Sequence, residues 1–149
     1  MTRKYPKLPI VGVAAVIFLE EAVLLARRKQ DPGRGQWSLA GGVVELGETL
    51  LEALDRELWE EAAIKIKVGG LIDVFDRIIR DRKKRIEYHY VLVDYWGWIL
   101  SGQPMPGSDV SELRLITLRE LENFGIGDDI KETIWKAFEM RKHIQKSIE

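Results

Sequence analysis

The segment RELWEEAA, residues 56–63, places Glu57, Glu60 and Glu61 within one helical turn. Carboxylates at i, i+3 and i+4 face one another on a helix, and like charges at that spacing repel by roughly 0.2–0.5 kcal/mol per pair. Two readings account for them: a solvated acidic face that tolerates the repulsion, or a multiply charged cation held among the three. A projection at about 100° per residue bears on the choice. With Glu57 at zero, Glu61 falls about 40° to one side and Glu60 about 60° to the other. Leu50, Leu51, Leu54, Leu58 and Ala62 form the apolar stripe that these glutamates border, while Glu52, Asp55 and Trp59 lie opposite. A merely solvated face belongs on that opposite side. Hard oxygen donors without Cys or His suit Mg²⁺ or Mn²⁺ rather than zinc.

Upstream stands Gly41-Gly42, and glycine is used where backbone must approach a ligand closely. A backbone carbonyl there could join the glutamates around a cation. From Gly42, five residues lead to Glu48 and seven more to Arg56-Glu57, then Leu58, Glu60, Glu61, Ala63 and Ile64. This spacing resembles the Nudix box, G-x5-E-x7-R-E-U-x-E-E-x-G-U, where U is a bulky apolar residue. The final glycine is the one departure, replaced by Ala63. WSLAGG, residues 37–42, is similar to the family's W-x-L-P-G-G lead-in, with Ala40 in place of proline.

The resemblance implies Mg²⁺-dependent attack of water on a pyrophosphate bond in a nucleoside diphosphate derivative. On it, Glu57, Glu60, Glu61 and the Gly42 carbonyl are metal ligands, and Glu48 and Arg56 form a structural ion pair. Glu112 resembles the acidic residue outside the box that assists with metal or base duty, with Asp109 a weaker version; an exposed loop carboxylate is the bland alternative. Arg27 and Arg28 look like the family's phosphate contact. Strand alternation lets only one of them point at the site, and Arg28 is the favoured one. YHYVLVDYW, GSDVSEL and TLREL resemble members described as ADP-ribose pyrophosphatases, which yield AMP and ribose 5-phosphate. The alternatives are a pyrophosphatase for damaged dNTPs, an RNA-end pyrophosphohydrolase and a non-catalytic nucleotide sensor. Glycine after a helix commonly adopts φ > 0, and alanine there costs about 1 kcal/mol. Ala63 therefore leaves open a different helix end and a shifted tilt of Glu60 and Glu61.

The elements that must position these residues read as a mixed-sheet α/β/α sandwich in a single Nudix-type domain, residues 1–149. Val11–Phe18 and Ala22–Lys29 form a hairpin. Short extended pieces lie at 37–39 and 43–45, and a helix runs from about Glu48 to Ala62. Residues 64–79 and 86–100 are long strands about the turn DRKKR, with a bend at Gly69-Gly70. A strand at 113–116, a short helix in TLRELENF and a closing helix from Asp128 to about Ser147 complete the chain. Trp59 points away from the core and suggests a contact surface, a homodimer among the possibilities.

The basic stretch from Arg77 to Arg85 is read as a solvated hairpin tip. The chain has 23 Lys plus Arg against 24 Asp plus Glu, so no global field draws it to nucleic acid or membrane. With no cysteine it has neither disulfides nor thiolate chemistry. The apolar run from Ile10 to Leu19, broken by Gly12 and ending in Glu20-Glu21, is a core strand rather than a signal peptide. These features point to a cytoplasmic protein, and the resemblance implies a small-molecule nucleotide substrate.

Overall fold

The computed structural model describes residues 3–148, and side chains as far as residue 144. Seven strands form a mixed sheet: β1 (Ile10–Leu19), β2 (Ala22–Arg28), β3 (Trp37–Ser38), β4 (Ala40–Val43), β5 (Lys65–Arg80), β6 (Ile86–Ser101) and β7 (Val110–Thr117). Their order is β3-β2-β1-β6-β5, with β4 paired to β1 and β7 to β2. Among the described residues only β1 and β6 run parallel; the other pairs are antiparallel. Helix α1 (Leu50–Ala62) covers one face and α3 (Asp128–Ile148) the other, with the short α2 (Leu118–Leu121) leading into the closing segment. This is the expected α/β/α arrangement.

Period-two alternation in β1 builds both cores. Val13, Ala15 and Ile17 pack with Leu54, Leu58 and Ala62 of α1. Val16 and Phe18 pack with Ile134 and Ala137 of α3. That second face tapers towards the start of the strand, where Gly12 and Ala14 continue it with little or no side chain. The two long strands pair as expected, and the register of β5 shifts between Val68 and Gly70, where Trp96 lies against both glycines. Among the described residues no helix is long and apolar enough to cross a membrane.

Three boundaries differ from the sequence reading. The strand expected at 43–45 is β4, displaced to Ala40–Val43, because its backbone pairs with Ala15 through Gly12. A Cβ on Gly41 would collide with the Val13 carbonyl, so glycine permits this approach. The last strand extends to Val110–Thr117 because it pairs along nearly all of β2. Helix α1 starts at Leu50, where Thr49 and Glu52 form a capping box, leaving Glu48 outside the helix.

The buried stripe of α1 is also rotated relative to the projection. Leu51 is 49% exposed, whereas Ala53 is fully buried. The buried arc thus extends past Glu57, on the side away from Glu61. Trp59 lies outside it, 54% exposed, with the Lys65 ammonium 5.3 Å from its ring centroid.

Ala63 ends the helix in the left-handed conformation, φ 56° and ψ 37°, and its N–H donates to the Trp59 carbonyl at 3.0 Å. The backbone that glycine would favour is therefore kept. Its steric cost falls on the alanine Cβ rather than on the tilt of Glu60 and Glu61. Ala63→Gly is expected to raise stability by about 1 kcal/mol in urea unfolding. An unchanged midpoint would mean that the left-handed cap carries no strain.

Candidate functional site

The box glutamates are organised by Arg56. Its Nε and Nη2 donate to the two Glu48 carboxylate oxygens at 2.7 and 2.9 Å, a bidentate ion pair. Nη2 also donates to the Val43 carbonyl at 3.0 Å, tying α1 to the end of β4. Nη1 donates to Glu57 at 2.9 Å and to Glu60 at 3.2 Å. Glu48 in turn accepts from the Glu45 N–H at 2.8 Å. Hydrogen bonds from Arg56 and from that backbone N–H hold the Glu48 carboxyl down at about 2.

Position within the buried arc separates the three glutamates. Glu57 keeps only 12% of its side chain exposed, against 58% for Glu60. A Cβ on Gly42 would overlap the Glu57 carboxylate, so glycine is what lets the two meet. Burial raises the Glu57 carboxyl above its ordinary value, opposed by the Arg56 guanidinium. Glu61 accepts from the Gly41 N–H at 3.2 Å. Burial pushes Glu61 up to about 7, against that hydrogen bond, with Glu57 and Asp109 pushing it further and Arg28 opposing them. Among the described residues no three acidic or histidine side chains stand ready as a metal cage. Glu57 and Glu60 are drawn to Arg56 instead, while Glu61 is turned to the Gly41 N–H.

The loop before β7 locks the end of this helix. Met105 and Gly107 donate N–H bonds to the carbonyls of Ala62 and Glu61 at 2.9 and 2.8 Å. Asp109 is thereby carried to a cavity of about 410 Å³ that Glu61, Gly41 and Arg28 also line, with Arg3, Lys4 and Lys29 contributing positive charge. Arg28 is half-buried and anchored by its Nε to the Pro32 carbonyl at 2.7 Å. Arg27 is exposed, with its Nε on the Gly35 carbonyl at 3.0 Å. The geometry thus brings Arg28 to the cavity and leaves Arg27 outside.

Glu112 stands on β7 opposite Arg27 and pairs with Arg114 at 3.2 Å, and the acids outside the box that line the cavity are Asp31 and Asp109. The expected strand began at Leu113, but β7 starts at Val110 and draws Glu112 into its ladder.

A second cavity of about 310 Å³ lies on the α3 side of the sheet, where Gly12 and Ala14 leave space. Trp37, Phe75 and Leu92 wall it, and Asp94 reaches into it from β6. Arg3, Arg28 and Leu39 line both cavities, which therefore adjoin. Sequence reasoning missed Asp94. Its signal was a lone acid on the apolar and aromatic strand YHYVLVDYW.

Comparison with known proteins bears on this geometry. The family model described as NUDIX domain matches residues 8–136. An ADP-ribose pyrophosphatase of Methanocaldococcus jannaschii is 33% identical over 113 residues, covering 76% of this chain and 64% of that protein. The CTP pyrophosphohydrolase of Escherichia coli is 41% identical over 71 residues, 47% of this chain and 53% of that one. The chain thus spans between about half and two thirds of the length of these curated relatives. A crystal structure of a MutT NUDIX hydrolase from Burkholderia pseudomallei superposes with a TM-score of 0.74 at 27% identity, covering 87% of this chain and 98% of that one.

The Glu48–Arg56 pair has a pH signature. Its carboxyl lies lower in the folded chain than in the unfolded one, so its stabilisation is present above the unfolded value and is lost as pH falls through about 2. Glu48→Gln is expected to lower the urea midpoint by a constant amount above about pH 5. The difference from wild type should narrow steadily as the solution is acidified below that. A difference independent of pH would show that the pair contributes nothing through its charge.

Proposed function

The chain belongs to the NUDIX domain family, and from that premise we propose that it is a pyrophosphohydrolase acting on ADP-ribose, releasing AMP and ribose 5-phosphate. One observation carries the reading. Glu61 of the carboxylate turn and Arg28 line one cavity, Arg28 also lines the adjoining aromatic-walled one, and the two cavities together match a pyrophosphate joined to a nucleoside. The relative that acts on ADP-ribose matches 76% of this chain, which supports the same substrate.

The donor set fits a divalent cation. Glu57, Glu60, Glu61 and the Gly42 carbonyl offer only hard oxygens, and the missing Gly42 Cβ leaves room beside Glu57. Burial raises the carboxyls of Glu57 and Glu61, a cost that a bound cation would offset. When bound, Mg²⁺ supplies neutralisation of the pyrophosphate and activation of water. Arg28 binds a phosphate oxygen and fixes the linkage in the cavity. Arg56 keeps Nε and Nη2 on Glu48 and Val43, and so holds in place the turn whose Glu57 and Glu60 would hold the cation. Asp109, beside Glu61, accepts the proton of the attacking water.

A nucleoside triphosphate is the second reading. It is favoured by the rim formed by Arg3, Lys4 and Lys29, which offers charge for additional phosphate. Product analysis separates the two. With Mg²⁺, purified protein is expected to convert ADP-ribose to AMP and ribose 5-phosphate, and Glu60→Gln to lower kcat by about a hundredfold or more with the fold intact. Pyrophosphate released from a nucleoside triphosphate, with ADP-ribose untouched, would shift the substrate to the second reading. A Glu60→Gln enzyme as active as wild type would overturn the role given to the glutamates.

A further inference from the structure

Asp94 is 5% exposed, and among the described residues no group hydrogen-bonds its carboxyl, although it lines the second cavity. A polar side chain so buried normally has a partner. On one flank Asp94 pairs with Ala14 of β1, which has nothing to donate. On the other it lies directly across from Asp73 of β5, and like charges in that position repel. Arg77 stands further along β5, paired with Tyr90. From α3, Asp129, Glu132 and Lys136 line the same cavity, but Lys136 is engaged with Asp73 at 3.6 Å. Arg3 and Arg28 line it where it adjoins the first cavity.

Two carboxylates side by side in a partly dehydrated site do not both ionise readily, and the more buried one keeps its proton longer. A carboxylic acid differs from a carboxylate in what it recognises. It offers one donor and one acceptor side by side, whereas the ion offers only acceptors. The first pattern complements a ring nitrogen next to an exocyclic amino group. The second complements two neighbouring donors, as on guanine or a sugar diol. Trp37, Phe75 and Leu92 provide flat apolar walls for a ring, and the cavity's volume of about 310 Å³ accommodates a nucleoside.

We propose that Asp94 determines base specificity in the second cavity: its neutral carboxyl donates to a ring nitrogen of adenine and accepts from the adjacent amino group. The proposal rests on the pyrophosphohydrolase reading only for the expectation that a nucleoside lies beyond the phosphates. Burial, with Asp73 and Asp129 adding to it, raises the Asp94 carboxyl to about 6, so the free chain holds it mostly ionised at neutral pH but close enough for a ligand that needs the acid to draw the proton on. Adenine binding then takes up a proton at neutral pH.

The test is calorimetric titration of adenosine, which has no phosphate to titrate, into the metal-free chain between pH 6 and 8. Wild type is expected to lose affinity by roughly tenfold per pH unit above 7, and to take up close to one proton per adenosine at pH 8, read from buffer dependence. Asp94→Asn keeps a donor and an acceptor permanently. It is expected to bind adenosine with pH-independent affinity, tighter than wild type at pH 8, while Asp94→Ala binds weakly throughout. Guanosine should show no gain towards pH 6. A flat wild-type profile without proton uptake, guanosine preferred as pH rises, or no adenosine binding up to millimolar concentration would each overturn the proposal. Since nothing is hydrolysed and no metal is present, these outcomes are independent of whether ADP-ribose is turned over.

Discussion

One guanidinium sets the geometry on which the site depends. Arg56 donates five hydrogen bonds, to Glu48 twice, to Val43, to Glu57 and to Glu60. Through Glu48 and Val43 it ties α1 to the loop and strand before it. Through Glu57 and Glu60 it neutralises part of an acidic turn that would otherwise repel itself. Without this cation Glu57 and Glu60 would lose the hydrogen bonds that hold them together beside the end of β4, while Glu61 keeps its bond from Gly41. With it, the turn is pre-organised, and its two remaining demands, the buried charge of Glu57 and that of Glu61, are what a divalent ion would meet.

The rest of the fold supplies what Arg56 cannot. The cap at Ala63 and the loop through Gly107 fix the far end of the turn from the other side, and the same loop delivers Asp109. The sheet contributes by omission. Gly12 and Ala14 withhold side chains on the α3 face of β1, so the core there ends at Val16 and the space beyond is the second cavity. The cavity beside Glu61 and Asp109 and the second cavity thus lie on opposite faces of one sheet, and Arg28, at the end of β2, borders both.

Much of this was legible in the sequence because it follows from spacing. The positions of Gly42, Glu48, Arg56 and the glutamates specify a loop-to-helix arrangement that the structure repeats, and apolar, β-branched and aromatic runs separated by polar turns identified the hairpin and both long strands. What escaped depended on partners distant in the chain. The extent of β4 and β7 is set by pairing with β1 and β2, which local pattern does not encode. The inward rotation of Glu57 and Glu61 came from burying Ala53 rather than Leu51, a packing outcome. Glu112 and Asp109 were separated by where β7 begins, and Asp94 acquired meaning only once β5, β6 and α3 enclosed it.

If the turn held by Arg56 is a divalent-cation site, Mn²⁺ binding followed by electron paramagnetic resonance will show it. Wild type is expected to remove free Mn²⁺ from solution, and Glu57→Gln to weaken that binding by about tenfold or more, with Mg²⁺ competing. Equal Mn²⁺ binding by wild type and Glu57→Gln, with both chains folded, would contradict the claim and leave the turn as an ion-pair network around Arg56 alone.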